Sequence, residues 1–197
     1  MKSLQLKKDI YWVGSLDPDL RVFDIIMQTA FGTTYNSYLV KGSEKIAVFE
    51  TVKAKYFDSY IEKISELINP QDIDYIIVDH TEPDHAGSVE MLLKKAKKAK
   101  VVGSQAAIDF LKDIINSDFD HIVVNHGDIL NLGNKTLKFI SAPFLHWPDS
   151  IYTYLPEDKM LFTCDSFGSH YSFDKIIFSE IPQEKIEDYN SALLYYY

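Results

Sequence analysis

Apolar positions along the chain switch between two periods. Short runs with apolar residues at every position or every second position, "DIYWVGS" (9–15), "YNSYLVKG" (35–42) and "KIAVFET" (45–51), predict strands rich in β-branched and aromatic residues. "GSEK" (42–45) predicts a hairpin turn between the last two. Across "KYFDSYIEKISELI" (55–68), Phe57, Tyr60, Ile61, Ile64 and Leu67 recur at helical spacing, and Pro70 ends the run. "DYIIVD" (74–79) reads as a fully buried strand, "EMLLKKAKKA" (90–99) as an amphipathic helix and "KVVGS" (100–104) as the next strand. Ser104 is the expected N-cap of a helix that runs to about residue 115.

Beyond that helix the pattern changes. "HIVVN", "GDILNLG", "KTLKFISA", "SIYTYLP" and "KMLFTCD" predict short strands separated by the turn residues Gly127-Asp128, Gly133-Asn134 and Pro156-Glu157-Asp158. The expected order is therefore two strand-to-helix crossovers followed by a meander. That order suits an α/β domain, two packed sheets with helices outside, spanning residues 1–197. No internal repeat, low-complexity tract or linker divides it. The last stretch, "PQEKIEDYNSALLYYY" (182–197), reads as a helix that stops in mid-pattern, so the domain is expected to be cut short at its C-terminus.

Composition narrows the classes. The 197 residues are 46% hydrophobic and 25% charged, ordinary for one globular domain with a real core. No apolar run approaches the ~20 residues needed to cross a bilayer, and the N-terminus lacks an h-region, so a soluble cytoplasmic protein with no membrane partner is expected. The net charge of -9 argues against a nucleic-acid partner. Cys164 is the only cysteine, which excludes an intrachain disulfide and a thiolate cluster. Arg21 is the only arginine, and the 13 tyrosines and 12 phenylalanines read chiefly as core.

The chemistry concentrates in "HTEPDH" (80–85), which sets two imidazoles and two carboxylates directly behind a buried strand. Imidazole suits zinc, iron, copper or nickel, whereas magnesium and calcium prefer all-oxygen shells. Within a loop, His80 and Glu82 can point one way and Asp84 and His85 the other, so one hexapeptide can serve two adjacent metals. Pro83 pushes Glu82 away from the helical region. The competing reading is a charged loop that opens a helix, with Asp84 as its cap. Two further strands deliver a candidate ligand at their ends: His146 in "APFLHWPDS" and Asp165 in "LFTCDSFG". A carboxylate such as Asp165 can bridge two cations, one oxygen to each. His121 and His126 read as surface or turn residues, and His170, five residues past Asp165, stays open.

These residues resemble a known family. "HTEPDH" is similar to the His-x-Glu-x-Asp-His motif of the flavodiiron proteins, or A-type flavoproteins, which carry a metallo-β-lactamase-like αβ/βα sandwich domain. Sixty residues lie between His85 and His146 and eighteen between His146 and Asp165, close to the family's spacing. "WVGSLDPDLRVFD" (12–24), "GTTYNSYLV" (32–40), "HAGS" (85–88) and "DSFGSH" (165–170) also look like family segments. The resemblance implies that His80, Glu82 and His146 hold one iron, that Asp84, His85 and a late histidine hold the other, and that Asp165 bridges an oxo- or hydroxo-linked pair. Related zinc hydrolases carry a second histidine where this chain has Glu82. The carboxylate gives a harder, more anionic shell, which favours redox iron over Lewis-acid zinc, although zinc can substitute.

The implied activity is reduction of O2 to water or of NO to N2O. The implied partners are a head-to-tail homodimer, an FMN-bearing flavodoxin-like domain and rubredoxin or another electron donor. The late histidine and the flavodoxin-like domain are expected beyond Tyr197, and nothing in this sequence resembles a flavin phosphate loop. No histidine precedes His80, where some relatives place one. His170 is a candidate hydrogen-bond donor to substrate, and Tyr195, with Trp147 and Phe167, a candidate wall against water. Two alternatives stay open: a metal-dependent hydrolase of the metallo-β-lactamase superfamily, and a shortened metal-binding fragment without activity.

Overall fold

A computed structural model describes residues 2–197. Chain order sets out the architecture. An antiparallel pair, β1 (Leu4–Lys7) and β2 (Ile10–Trp12), is followed by two short ribbons. In these, β3 (Ser15–Asp17) pairs with β6 (Thr33–Tyr35), and β4 (Val22–Phe23) pairs with β5 (Met27–Gln28). Then come β7 (Tyr38–Lys41), β8 (Ile46–Phe49), α1 (Phe57–Leu67), β9 (Tyr75–Ile77), α2 (Pro83–Ala86), α3 (Val89–Lys95), β10 (Lys100–Gly103), α4 (Gln105–Ile114) and β11 (His121–Val123). A second run holds β12 (Ile129–Asn131), β13 (Thr136–Ser141), β14 (Ile151–Leu155) and β15 (Met160–Phe162), and α5 (Ile186–Tyr196) ends it.

The larger sheet is seven-stranded in the order β1-β2-β7-β8-β9-β10-β11, antiparallel up to β8 and parallel from β8 onward. The smaller is a four-stranded antiparallel meander, β12 to β15. Two expectations are corrected here. "HIVVN" does not open the meander, because β11 pairs in parallel with β10, which makes three crossovers instead of two. The helix expected over 90–99 ends at Lys95, where Ala96 leaves helical geometry (φ -110, ψ 64).

Side-chain alternation explains why the central strands read as unbroken apolar runs. Leu39, Val48, Ile76 and Val101 face one core with Tyr60 and Ile64 of α1, Leu92 of α3, and Ile108 and Leu111 of α4. Their chain neighbours Val40, Phe49, Ile77 and Val102 face the other, against Leu137, Phe139, Ile151 and Phe162 of the small sheet. A strand buried on both faces cannot show a polar alternate, the usual mark of a parallel sheet inside an α/β protein. Ser104 caps α4 as expected, its Oγ accepting from the Ala107 N–H at 3.0 Å.

The two sheets close on an aromatic contact, Phe49 stacked on Phe162 at 4.1 Å with Tyr38 tilted against it at 5.1 Å. Gly42 brings the β7–β8 turn onto the small sheet: a Cβ there would lie 2.0 Å from the Leu132 carbonyl oxygen. Asp74, just ahead of β9, ties three segments, accepting from the Ile46 N–H at 2.9 Å, Lys98 at 2.9 Å and Lys45 at 3.2 Å.

Phe49→Ala should lower the unfolding free energy by about 3–5 kcal/mol, read as a lower denaturant midpoint, because the inter-sheet stack is fully buried. For Asp74, burial raises the carboxyl pKa, but the Ile46 N–H, Lys98 and Lys45 together hold it below its ordinary 3.8. A depressed carboxyl stabilises the fold above the unfolded value, and that share is lost as pH falls through the folded value. Asp74→Asn should therefore cost roughly 1 kcal/mol at neutral pH. The gap to the parent should narrow in denaturation series taken below pH ~4.

Candidate metal centre

The hexapeptide after β9 is divided by Pro83. Glu82 sits in extended geometry (φ -57, ψ 148), the conformation favoured before proline, and Pro83 opens the single helical turn α2. His80 and Glu82 therefore leave an extended loop, while Asp84 and His85 leave a helical turn. That corrects the expectation of one continuous loop. Glu82, not Asp84, stands at the cap position, and its side chain caps nothing. Backbone bonds hold both halves: the Thr81 N–H donates to Asp149 Oδ2 at 2.7 Å, and Thr51 donates to the His85 carbonyl from both N–H and Oγ1 at 2.6 Å. His146 comes from the turn after β13, and Asp165 follows β15.

Six side chains meet. His80, Glu82, His146 and Asp165 form one group whose donor atoms all lie within 4.8 Å of one another, and Asp84, His85 and Asp165 form a second. Glu82 Oε2 stands 3.2 Å from Nε2 of His80 and 3.2 Å from Nε2 of His146. Asp165 divides its oxygens: Oδ2 lies 3.9 Å from both of those nitrogens, while Oδ1 is 2.7 Å from His85 Nε2. Asp84 Oδ2 is 3.4 Å from the same His85 nitrogen. All of them but His80 line a cavity of about 230 Å3 together with His170 and Tyr196.

The charges are those of donors facing an electropositive centre. Burial works against a charged His80, yet the Asp149 and Glu82 carboxylates push its pKa up to about 9. His85 is likewise raised well above its ordinary value against burial, by Asp165 and Asp84. Burial would raise Asp165, but the His85 charge and hydrogen bond hold it far below the carboxylate range. The donor set is nitrogen and oxygen only; Cys164 turns its thiol toward the Ile151 carbonyl at 3.9 Å. Asp84 Oδ1 is buried with no hydrogen-bond partner among the described residues, as expected of an oxygen aimed at a cation.

Several neighbours escaped the reading of the sequence. Asp149 is fully buried, with oxygens 3.2 and 3.3 Å from His80 Nδ1. A proton on Nδ1 leaves Nε2 free to face the cluster, the usual support of a ligating imidazole. Its signal was its place three residues after His146 in the same segment. Glu50 and Asp79 end apolar strands, as the recognised candidates do, and Asp24 reaches the cavity beside Lys53 at 3.1 Å. His170 lines the cavity, its Nδ1 3.0 Å from Thr33 Oγ1 and its ring 4.4 Å from Phe23. Tyr195 does not line it; that residue borders a neighbouring cavity with Arg21, and Tyr196 takes the wall position. Trp147 sets an edge against His80 at 5.1 Å, while Phe167 is 75% exposed. His121 and His126 lie exposed, outside the cluster. No helix among the described residues is long and apolar enough to cross a membrane.

Comparison with known proteins gives the family and the fold. The family model described as "ODP family beta lactamase" matches residues 33–193. A flavo-diiron protein, FprA2, of Clostridium acetobutylicum is 44% identical over 98% of the chain and 50% of its own length. A type A flavoprotein of Rhodobacter capsulatus is 40% identical over 95% of the chain and 43% of its own length. Among solved structures, rubredoxin oxygen:oxidoreductase of Desulfovibrio gigas superposes with a TM-score of 0.92 at 31% identity, covering 99% of this chain and 48% of that one. The flavodiiron protein of Giardia intestinalis gives 0.91 at 31% identity, covering 98% and 46%. The chain thus spans about half the length of the curated relatives it matches. It has the metallo-β-lactamase-like fold and belongs to the flavodiiron, or A-type flavoprotein, family.

Proposed function

We propose that this chain is the di-iron domain of an O2- or NO-reducing flavodiiron protein. His80, Glu82 and His146 would hold one iron, Asp84 and His85 the other, and Asp165 would bridge them. The observation that carries the reading is the division of Asp165, one oxygen toward each group of donors. When bound, a pair of irons supplies redox equivalents and adjacent open positions for a diatomic substrate.

The chain's own residues do the rest. Asp149 orients His80 through Nδ1, so that Nε2 would be the nitrogen left to hold a cation. Glu82, between two imidazoles, adds a negative charge that favours the more oxidised metal. His170, held by Thr33 and Phe23, stands at the cavity wall where it can donate to a bound diatomic. Tyr196 closes the same wall. In the whole protein, electrons would come from FMN on a flavodoxin-like domain across a head-to-tail homodimer. Rubredoxin or a similar donor would feed the FMN. A reducing cytoplasmic setting agrees with the single cysteine.

Anaerobic loading with ferrous iron should give two irons per chain and, after oxidation, the Mössbauer signature of a coupled pair. Consumption of O2 or NO should follow when a reduced flavin donor is supplied. A chain that takes up only zinc, and then hydrolyses a model ester, would move the assignment to the hydrolases. Asp165→Asn should uncouple the irons and lower stoichiometry toward one. Asp149→Asn should weaken the His80-side cation by about 10–100-fold in competition titrations. The Asp84–His85 side should change less.

A further inference from the structure

His170 stands in the wall of the metal cavity without belonging to either group of donors. Its segment is laced to β6 and the residues before it. His170 Nδ1 meets Thr33 Oγ1 at 3.0 Å, the Thr34 hydroxyl donates to the Tyr171 carbonyl at 2.8 Å, and the Ser172 N–H donates to the Phe31 carbonyl at 2.9 Å. Phe23 of β4 at 4.4 Å and Tyr196 of α5, T-shaped at 5.4 Å, hold the imidazole from other sides. Gly32 lets β6 start where it does: its φ is 71, and a Cβ there would lie 2.3 Å from the Asp17 carbonyl oxygen.

The Thr33–His170 bond can run in two directions, and the partners decide between them. A neutral imidazole has one N–H and one bare nitrogen, while a hydroxyl has one proton and two lone pairs. Burial lowers the His170 pKa against the pull of Asp165, Glu82 and Asp24, so the ring is neutral near neutral pH. Thr33 is 4% exposed, and its hydroxyl has no hydrogen-bond partner but His170 among the described residues. Were Nδ1 the donor, the buried Thr33 proton would have no acceptor among them. With Thr33 as donor only hydroxyl lone pairs are left over, which is the milder loss. The cavity points the same way. Nε2 has no partner among the described residues and is not fully buried, so it is the open nitrogen of a ring that lines the cavity. Glu82, Asp84 and Asp165 line the same space, and carboxylates attract an N–H and repel a bare lone pair.

We propose that Thr33 is a positioning residue of the candidate centre. Its hydroxyl donates to His170 Nδ1, keeps the ring proton on Nε2, and so offers that N–H to a small ligand in the cavity that carries a lone pair on oxygen or nitrogen. Only the offer to a ligand rests on the di-iron reading; the direction of the Thr33–His170 bond belongs to the metal-free chain.

Long-range nitrogen-15 correlation spectra of the metal-free protein read both ring nitrogens of His170. The proton should appear on Nε2, and Nδ1 should resonate as a nitrogen that accepts a hydrogen bond. Thr33→Ser should keep that resonance. Thr33→Val, of the same shape without the hydroxyl, should move it to the position of an unbonded nitrogen. A proton on Nδ1 in the unmodified protein would overturn the proposal, and that spectrum decides alone if the valine variant does not fold. An Nδ1 resonance unchanged in Thr33→Val would overturn it too. In the iron-loaded protein with a reduced flavin donor, Thr33→Val should raise the KM for O2 or NO about 3–10-fold with kcat little changed, and Thr33→Ser should restore it. Made in a His170→Phe background, Thr33→Val should change KM no further; additive losses would show that Thr33 acts otherwise than through His170 and overturn its positioning role. A parent protein that consumes neither gas would count against the di-iron reading, with the spectra still deciding the bond.

Discussion

The two sheets are fastened together at Asp79, and the site hangs from that fastening. Its N–H donates to Glu50 at the end of β8, its carbonyl accepts from the Ile151 N–H at 3.0 Å, and Thr153 of β14 donates to its carboxylate. One residue thus joins the end of β8, the end of β9 and β14 of the small sheet. His80 is the next residue, so the position of the first imidazole follows from the junction. Asp149 repeats the device from the other side. It holds Thr81 and His80 with its side chain, while its carbonyl accepts from Ser104, the residue that caps α4. A site held on two sheets and a helix start keeps its geometry better than one carried on a free loop.

How much of this was legible follows from where the signals lie. The large-sheet strands β2, β7, β8, β9 and β10, the helices over 55–68 and 104–115, and the final helix were plain in the apolar periods, because burial on one or both faces imposes those periods; β1 was not predicted. The candidate ligands were legible because imidazoles and acids directly after apolar strands are chemically conspicuous. The assignment of β11 was not, since "HIVVN" looks alike as the last parallel strand or the first antiparallel one; only pairing with β10 decides. Asp149, Glu50 and Asp79 were missed for a related reason. Each is a single acid whose meaning depends on a partner distant in sequence, such as His80 for Asp149, 69 residues away. The ribbons β3–β6 and β4–β5 were too short to carry a period at all.

The electrostatics of the cluster explain why it stays together. Buried Glu50, Asp79, Glu82 and Asp149 and half-buried Asp84 and Asp165 surround the buried His80 and His85 and the more exposed His146. Acids so crowded cannot all ionise beside neutral imidazoles. The chain answers by division. Burial pushes Glu50 up to about 7, and burial together with Glu50 raises Asp79 well above the ordinary range. Asp149 and Asp165 stay ionised despite burial, against protonated His80 and His85. The protons on those imidazoles stand in for positive charge at the two groups of donors. Cations placed there would displace them, which is why binding at such sites is coupled to proton release.

This division also bears on Glu82. Its Oε2 accepts from two imidazoles at once, a geometry open to a carboxylate oxygen with two lone pairs but closed to a third imidazole, whose ring nitrogen has one. A histidine at position 82 would leave His80 and His146 without a shared acceptor and add a third group competing for the same proton. With Glu82 in place, the group around His80 sets two carboxylates beside two imidazoles before any cation arrives. The identity of one residue inside "HTEPDH" therefore acts at two levels: it settles the packing of the metal-free cluster, and it fixes how anionic the shell around a bound metal would be.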